Sequence, residues 1–223
     1  MFKVVTLYKR KEGTDVAEFQ QRWLDKHSLI ASRIPGLRRY VQSHALPQGY
    51  KKGELIYDGI SEMWFDSEQA FKDASSSDAA AKVRQDASSF TDDSRTVVMT
   101  VVVHVIKDGA IPVPAVKNIE FVNQRPGMDL NEFRRYWKEV HGPIASRIEV
   151  LQRYEQNHLR IEEYAAPSRP IFDGLAITWF HSTADMKQGA TTDAYAVTRA
   201  DEPNFLPDGH LPIIVATEHV ILR

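Results

Sequence analysis

The chain repeats itself. Residues 19–44 read FQQRWLDKHSLIASRIPGLRRYVQSH and residues 133–158 read FRRYWKEVHGPIASRIEVLQRYEQNH, with 13 identities in 26 ungapped positions at an offset of 114. A second block, YDGISEMWFDS from Tyr57, meets FDGLAITWFHS from Phe172, and Val103–Ile106 meets Glu218–Ile221 near the end of each copy. A period this long is no solenoid repeat, whose units run to 20–50 residues. It is the length of a small domain, so a whole domain stands twice in tandem. The expected domains are 1–109 and 116–223, joined across 107–115 by Asp108-Gly109 and two prolines, Pro112 and Pro114.

Each copy has the same order of elements. Short β-rich runs at Phe2–Tyr8 and Lys117–Val122 come first. Asp15-x-x-Glu18 and Asp129-x-x-Glu132 then read as helix starts with aspartate as N-cap. Phe19, Trp23 and His27 recur every four residues, as do Phe133, Trp137 and His141, so each trio shares one helix face. Strands follow near Leu37–His44 and Leu151–His158, and near Gly59–Phe65 and Gly174–Phe180. A second helix opens at Ser67 and Ser182, and β-branched strands close the copies at Thr96–Ile106 and Leu211–Leu222. The reading is α+β: two tandem ferredoxin-like βαββαβ units. Each unit has helices on one sheet face and a bare opposite face. Pressing the bare faces together gives an intrachain α+β barrel, a pseudo-dimer, with room for a ligand between the sheets.

Composition removes several function classes. Lys+Arg is 28 against Asp+Glu 30, evenly spread, so no basic face for a nucleic acid is implied. Cysteine is absent, which excludes disulfides, thiolate metal sites and a Cys nucleophile. No apolar run approaches 18 residues and the start lacks a signal-peptide layout, so a cytoplasmic protein with no membrane partner is expected. Dinucleotide, P-loop, zincin and nucleophile-elbow motifs are missing. Several histidines could still hold a metal or haem, but no two stand at i, i+4 on a helix, so no metal is expected.

Six of the eight histidines fall into repeat-matched pairs: His27/His141, His44/His158 and His104/His219. His27 and His141 end a helix, where the dipole favours the imidazolium and burial the neutral ring; the balance suits a general acid–base group or a packed structural one. Tyr40, Gln42 and His44 alternate along a strand and so share a face, as do Tyr154, Gln156 and His158. Such a row either supplies donors and a base to the expected cavity or satisfies itself by mutual hydrogen bonds. Arg33 and Arg147 are candidates for binding a carboxylate or enolate, or for pairing with Asp58 and Asp173. Those aspartates, each before a glycine, read as strand-entry turns. Trp64 and Trp179 read as pocket wall or core. The copies also differ: Glu62 stands against Ile177, and Thr6 against Glu120, which points to one specialised cavity.

The motifs W-x-x-x-H (Trp23, His27; Trp137, His141), I-A-S-R-I (Ile30–Ile34; Ile144–Ile148) and D-G-x-x-x-x-W-F (Asp58–Phe65; Asp173–Phe180) resemble the EthD family of the dimeric α+β barrel superfamily. The resemblance spans nearly the whole chain, once per half. It implies ferredoxin-like units, small aromatic or carbonyl-bearing ligands and frequently no cofactor, with dehydratases and isomerases among related proteins. Together these readings give a cofactor-independent, dehydratase-like lyase or isomerase. It would act by histidine acid–base chemistry next to a carbonyl of a small hydrophobic or aromatic substrate. The alternatives are a non-catalytic binding or accessory protein and a barrel-type monooxygenase. The catalytic candidates are His27, His141, His44, His158, Tyr40 and Tyr154. The substrate-binding candidates are Arg33, Arg147, Glu62, Trp64, Trp179, Gln42 and Gln156. Apolar sheet edges suit a homodimer.

Overall fold

The computed structural model describes residues 1–223. Its strands are β1 (Phe2–Tyr8), β2 (Leu37–Ala45), β3 (Gly59–Phe65), β4 (Val97–Lys107), β5 (Val116–Val122), β6 (Arg153–Leu159), β7 (Gly174–Phe180) and β8 (Ile213–Leu222). Hydrogen bonding runs in the order β1-β3-β2-β8-β5-β7-β6-β4 and closes, an eight-stranded antiparallel barrel in an α+β chain. The chain forms two compact units, residues 1–101 with 216–223, and residues 102–215. Each therefore holds the first three strands of one sequence copy and borrows a strand end from the other. In the first unit, β2 pairs with Ala216–Leu222 of β8 on one side and with β3 on the other.

The helix that carries the repeated Trp and His begins as read from sequence. Asp15 caps α1 (Val16–Arg22) by accepting from the Ala17 and Glu18 amides, and Asp129 caps α5 (Leu130–Tyr136) through Asn131 and Glu132. Trp23–His27 and Trp137–His141 then form single π-helical turns before α2 (Ser28–Ala31) and α6 (Gly142–Ala145). A π-turn frequently marks a functional position. Here the wider turn sets the two aromatic anchors and the two histidines on the sheet side, where Trp23 and Trp137 are sealed from solvent. Burial of each indole contributes about 2–3 kcal/mol.

Each second helix is broken in two. In the first unit these are α3 (Glu68–Ser75) and α4 (Asp78–Ala87), capped by Ser67 and Ser77; in the second, α7 (Thr183–Gly189) and α8 (Asp193–Asp201), capped by Ser182 and Thr192. Both sets of helices cover one face of their own sheet. The first core joins Phe2, Val4, Tyr40 and Phe65 to Ala31, Ala74 and Val83; the second joins Val122, Tyr154 and Phe180 to Phe133, Trp137 and Phe205. No helix is long and apolar enough to cross a membrane.

Candidate active site

Alternation along β1 and β5 decides what each unit encloses. Val4 and Thr6 of the first unit, and Asn118 and Glu120 of the second, point toward the helices and line a cavity there. The cavities measure about 460 Å³ and 230 Å³ respectively. Both lie on the helix-covered face, whereas the sequence reading set ligand space on the bare face.

The second cavity gathers chemistry. His141, Tyr154, Glu120 and Glu202 all line it. His141 donates from Nδ1 to Asp201 Oδ2 at 2.9 Å, which leaves Nε2 on the opposite ring edge as the free basic nitrogen. Asp201 also accepts from Tyr136 Oη at 2.6 Å and Asn204 Nδ2 at 3.1 Å. Burial alone would raise the Asp201 carboxyl, but these three donors outweigh it and hold it below the usual range. Burial lowers the His141 ring below an ordinary histidine, against the pull of Asp201, so the ring is neutral near pH 7. Burial pushes the Glu202 carboxyl up to about 7 despite Arg199 beside it at 2.5 Å, with Glu120 reinforcing the rise. Glu120 is raised as well, again by burial, and accepts from Asn118 Nδ2 at 3.2 Å. Tyr154 accepts from Gln156 Nε2 at 3.1 Å, so its own O–H stays a donor, and burial raises it well above a free phenol. A neutral base, two protonatable acids and a phenol donor thus share one small space.

The first unit repeats the dyad without the opening. His27 Nδ1 lies 2.8 Å from Asp86 Oδ2, but the ring is 0% exposed against 6% for His141, and its Nε2 is buried with no partner. Phe90 closes on it edge-on at 5.3 Å. His27 therefore does not reach the cavity, and burial lowers its pKa as well.

The tyrosine–glutamine–histidine rows are self-satisfied. Gln42 Nε2 donates to Tyr40 Oη at 2.7 Å and to the Trp23 carbonyl at 3.2 Å, while its Oε1 meets His44 Nε2 at 3.0 Å. Gln156 does the same for Tyr154, Trp137 and His158. His44 stacks on Trp23 at 4.6 Å and His158 on Trp137 at 4.2 Å. Burial drives these two rings down to about 3 and about 2, so they are neutral donors to glutamine and not bases for a ligand. Tyr40 is sealed, and of the two rows only Tyr154 reaches a cavity.

The remaining candidates lie elsewhere. Arg33 and Arg147 are exposed and line neither cavity, because they follow the helix on its solvent side. Asp58 pairs instead with Lys9 and Arg10 and accepts from Tyr50 at 2.6 Å; Asp173 accepts from Tyr164 at 2.8 Å and from the Gln124 amide at 2.7 Å. Both aspartates are buried anchors of the strand entry. Glu62 points to the other sheet face and is buried in an ion pair with Lys3 at 2.6 Å, so it is no free acid. Trp64 and Trp179 share that face under Lys3 and Lys117 respectively.

The sequence reading named Glu120 but gave it no role, and it missed Asp201 and Glu202. A signal existed: Arg84-x-Asp86 matches Arg199-x-Asp201 at an offset of 115, inside the otherwise weakest part of the repeat.

The EthD domain family matches the chain twice, over residues 11–94 and 125–208. This chain belongs to the EthD family. No curated protein matches it. Among solved structures it is similar to an anthrone oxidase-like protein, with 8% identity and a TM-score of 0.66 over 99% of this chain and 93% of that one. It is also similar to a candidate monooxygenase from Lactobacillus acidophilus NCFM, with 12% identity, a TM-score of 0.55 and coverage of 99% and 93%. A chlorite dismutase variant from Candidatus Nitrospira defluvii gives 6% identity, a TM-score of 0.55 and coverage of 99% and 92%. At such identities the likeness is one of fold.

Proposed function

We propose that this EthD protein is a cofactor-independent lyase or isomerase of the dehydratase kind, working in the cavity of its second unit. The solved relatives carry names of several chemistries on one fold, so the choice rests on the site. The observation that carries it is His141, held by Asp201 and bordering a cavity whose lining also holds Glu120, Glu202 and the Tyr154 phenol. His141 Nε2 removes a proton from the carbon beside a carbonyl. The Tyr154 hydroxyl donates to the oxygen on which negative charge grows. Protonated Glu202 delivers its proton to a hydroxyl on the next carbon, which leaves as water while the carbon–carbon double bond forms. The proton on His141 then passes to solvent or back to the glutamates. An engineered 150 Å³ apolar cavity takes up benzene, so about 230 Å³ holds one substituted ring.

Proton removal is measurable before the natural substrate is known. Small aromatic ketones and β-hydroxyketones in D₂O should lose their α-proton NMR signals in the presence of the protein. His141→Gln should slow that exchange by about 10²- to 10⁴-fold, the usual weight of a positioned acid–base group. His27→Gln should leave it within a few-fold. A wild-type protein that exchanges none of the panel, or a His141→Gln protein that exchanges as fast, overturns the reading.

A further inference from the structure

The two cavities are built from matched positions, and at those positions their chemistry has diverged. Glu120 of the second unit is matched by Thr6, Asn118 by Val4, Glu202 by Ala87, and Tyr195 by Ala80. Each exchange removes a charge, an amide or a ring from the first cavity, and that cavity is twice the size of its counterpart, about 460 Å³ against 230 Å³. The dyad histidine has been withdrawn from it too, since His27 is sealed behind Phe90. The rest of the lining is mainly apolar: the hydroxyls of Thr6 and Tyr8 lie on the sheet side, and those of Ser75, Ser88, Thr91 and Thr96 each already donate to a backbone carbonyl. The charged residues at its edge, Arg84 and Asp93, are exposed at the mouth, and Arg84 donates to the Ser75 carbonyl at 3.0 Å.

We infer that the first unit's cavity is a binding site, without acid–base chemistry, for an uncharged apolar molecule of one or two rings. An apolar-walled recess of this size leaves its lining side chains without packing partners unless something fills it. Water is a poor filler, because each molecule needs two to four polar partners and the walls offer few. A charged ligand finds no buried counter-charge there. The hydroxyls of Thr6 and Tyr8 suit a single hydroxyl or carbonyl on the ligand.

The test uses the whole chain and N-phenyl-1-naphthylamine, a neutral two-ring fluorophore that brightens in apolar surroundings. The wild type should bind one probe per chain. Ala80→Tyr and Ala87→Glu, each copying the residue at the matched position of the second unit, should weaken the dissociation constant about tenfold or more. The His141→Gln protein should bind the probe as the wild type does, which keeps this site separate from the reaction proposed above. Should either substitution unfold the protein, crystals of the wild type soaked with bromobenzene give an independent answer, an anomalous bromine peak beside Ala80 and Val83. No probe binding, an unchanged affinity in folded Ala80→Tyr and Ala87→Glu proteins, or bromine only outside this cavity overturns the proposal.

Discussion

At the residue scale, the same side chain does different work in the two units because its neighbours differ. His27 and His141 share an aspartate partner, a helix position and a lowered pKa, yet only His141 borders open space. Glu202 is the residue whose protonation gates the proposed reaction. Arg199, Glu120 and Asp201 face it, and burial leaves it titrating at about 7. It is the acid form below that value, so kcat/KM for dehydration of any exchanging β-hydroxyketone should fall as pH rises through about 7. On the acid side the rate should fall only below the ordinary histidine range, because the His141 base stays neutral down to there. Glu202→Gln should remove the limb near pH 7 and leave a lower, flatter profile. Persistence of that limb in the variant would assign it to another group.

At the element scale, the D-G motif is explained by the helix that crosses it. A Cβ added at Gly59 would stand 2.2 Å from the Trp23 indole, and one at Gly174 would stand 2.5 Å from the Asn157 carbonyl and 2.8 Å from the Trp137 indole. The indoles lie flat on bare backbone, which lets the π-turns sit close to the sheet. Gly59→Ala and Gly174→Ala should therefore each destabilise by about 1–3 kcal/mol, the usual cost of overpacking. Urea unfolding should show an earlier midpoint at unchanged slope. The turn reading of this motif from sequence was right about its place at the strand entry. The reason for the glycine was hidden, since the contact is with a tryptophan 36 or 37 positions earlier in the chain.

At the scale of the whole molecule, buried histidines make the fold acid-sensitive. His44 and His158 titrate at about 3 and about 2, far below the 6.5 of an unfolded histidine. A lowered histidine value means that the unfolded chain binds the proton first, so stability is full above about 6.5 and is lost as pH falls below it. Two units below that point each of these two rings costs about 3 kcal/mol. His27, His104, His141 and His219 shift in the same direction. Glu202 works the other way: its raised value adds stability below about 4.5 that is lost as pH rises through 7. Glu120 shifts in the same sense as Glu202, and two glutamates against six histidines leave the acid side weaker. Thermal melts should fall steeply between pH 6.5 and 4.5, and His44→Gln with His158→Gln should flatten that slope. An unchanged slope would show that the pair stays solvated.

The tandem α+β architecture was legible in the sequence, because local signals repeated twice agree with one another: aspartate caps, a four-residue Trp–His spacing and alternating strands. The dyad histidines could be named for the same reason. Their fates could not. Whether a strand face looks toward helices or away is set by how the sheet packs, and the row of Tyr40, Gln42 and His44 looks the same on paper either way. Glu62 and Glu120 likewise read alike as lone acids on apolar strands. Only packing gave one a lysine partner and the other a cavity. Asp201 and Glu202 lie about 60 residues from His141, at the C-terminal end of α8, so folding alone brings them to it. The chain's residue types set which groups can carry protons. Burial, a property of the tertiary structure, decided which of them remain free to do so.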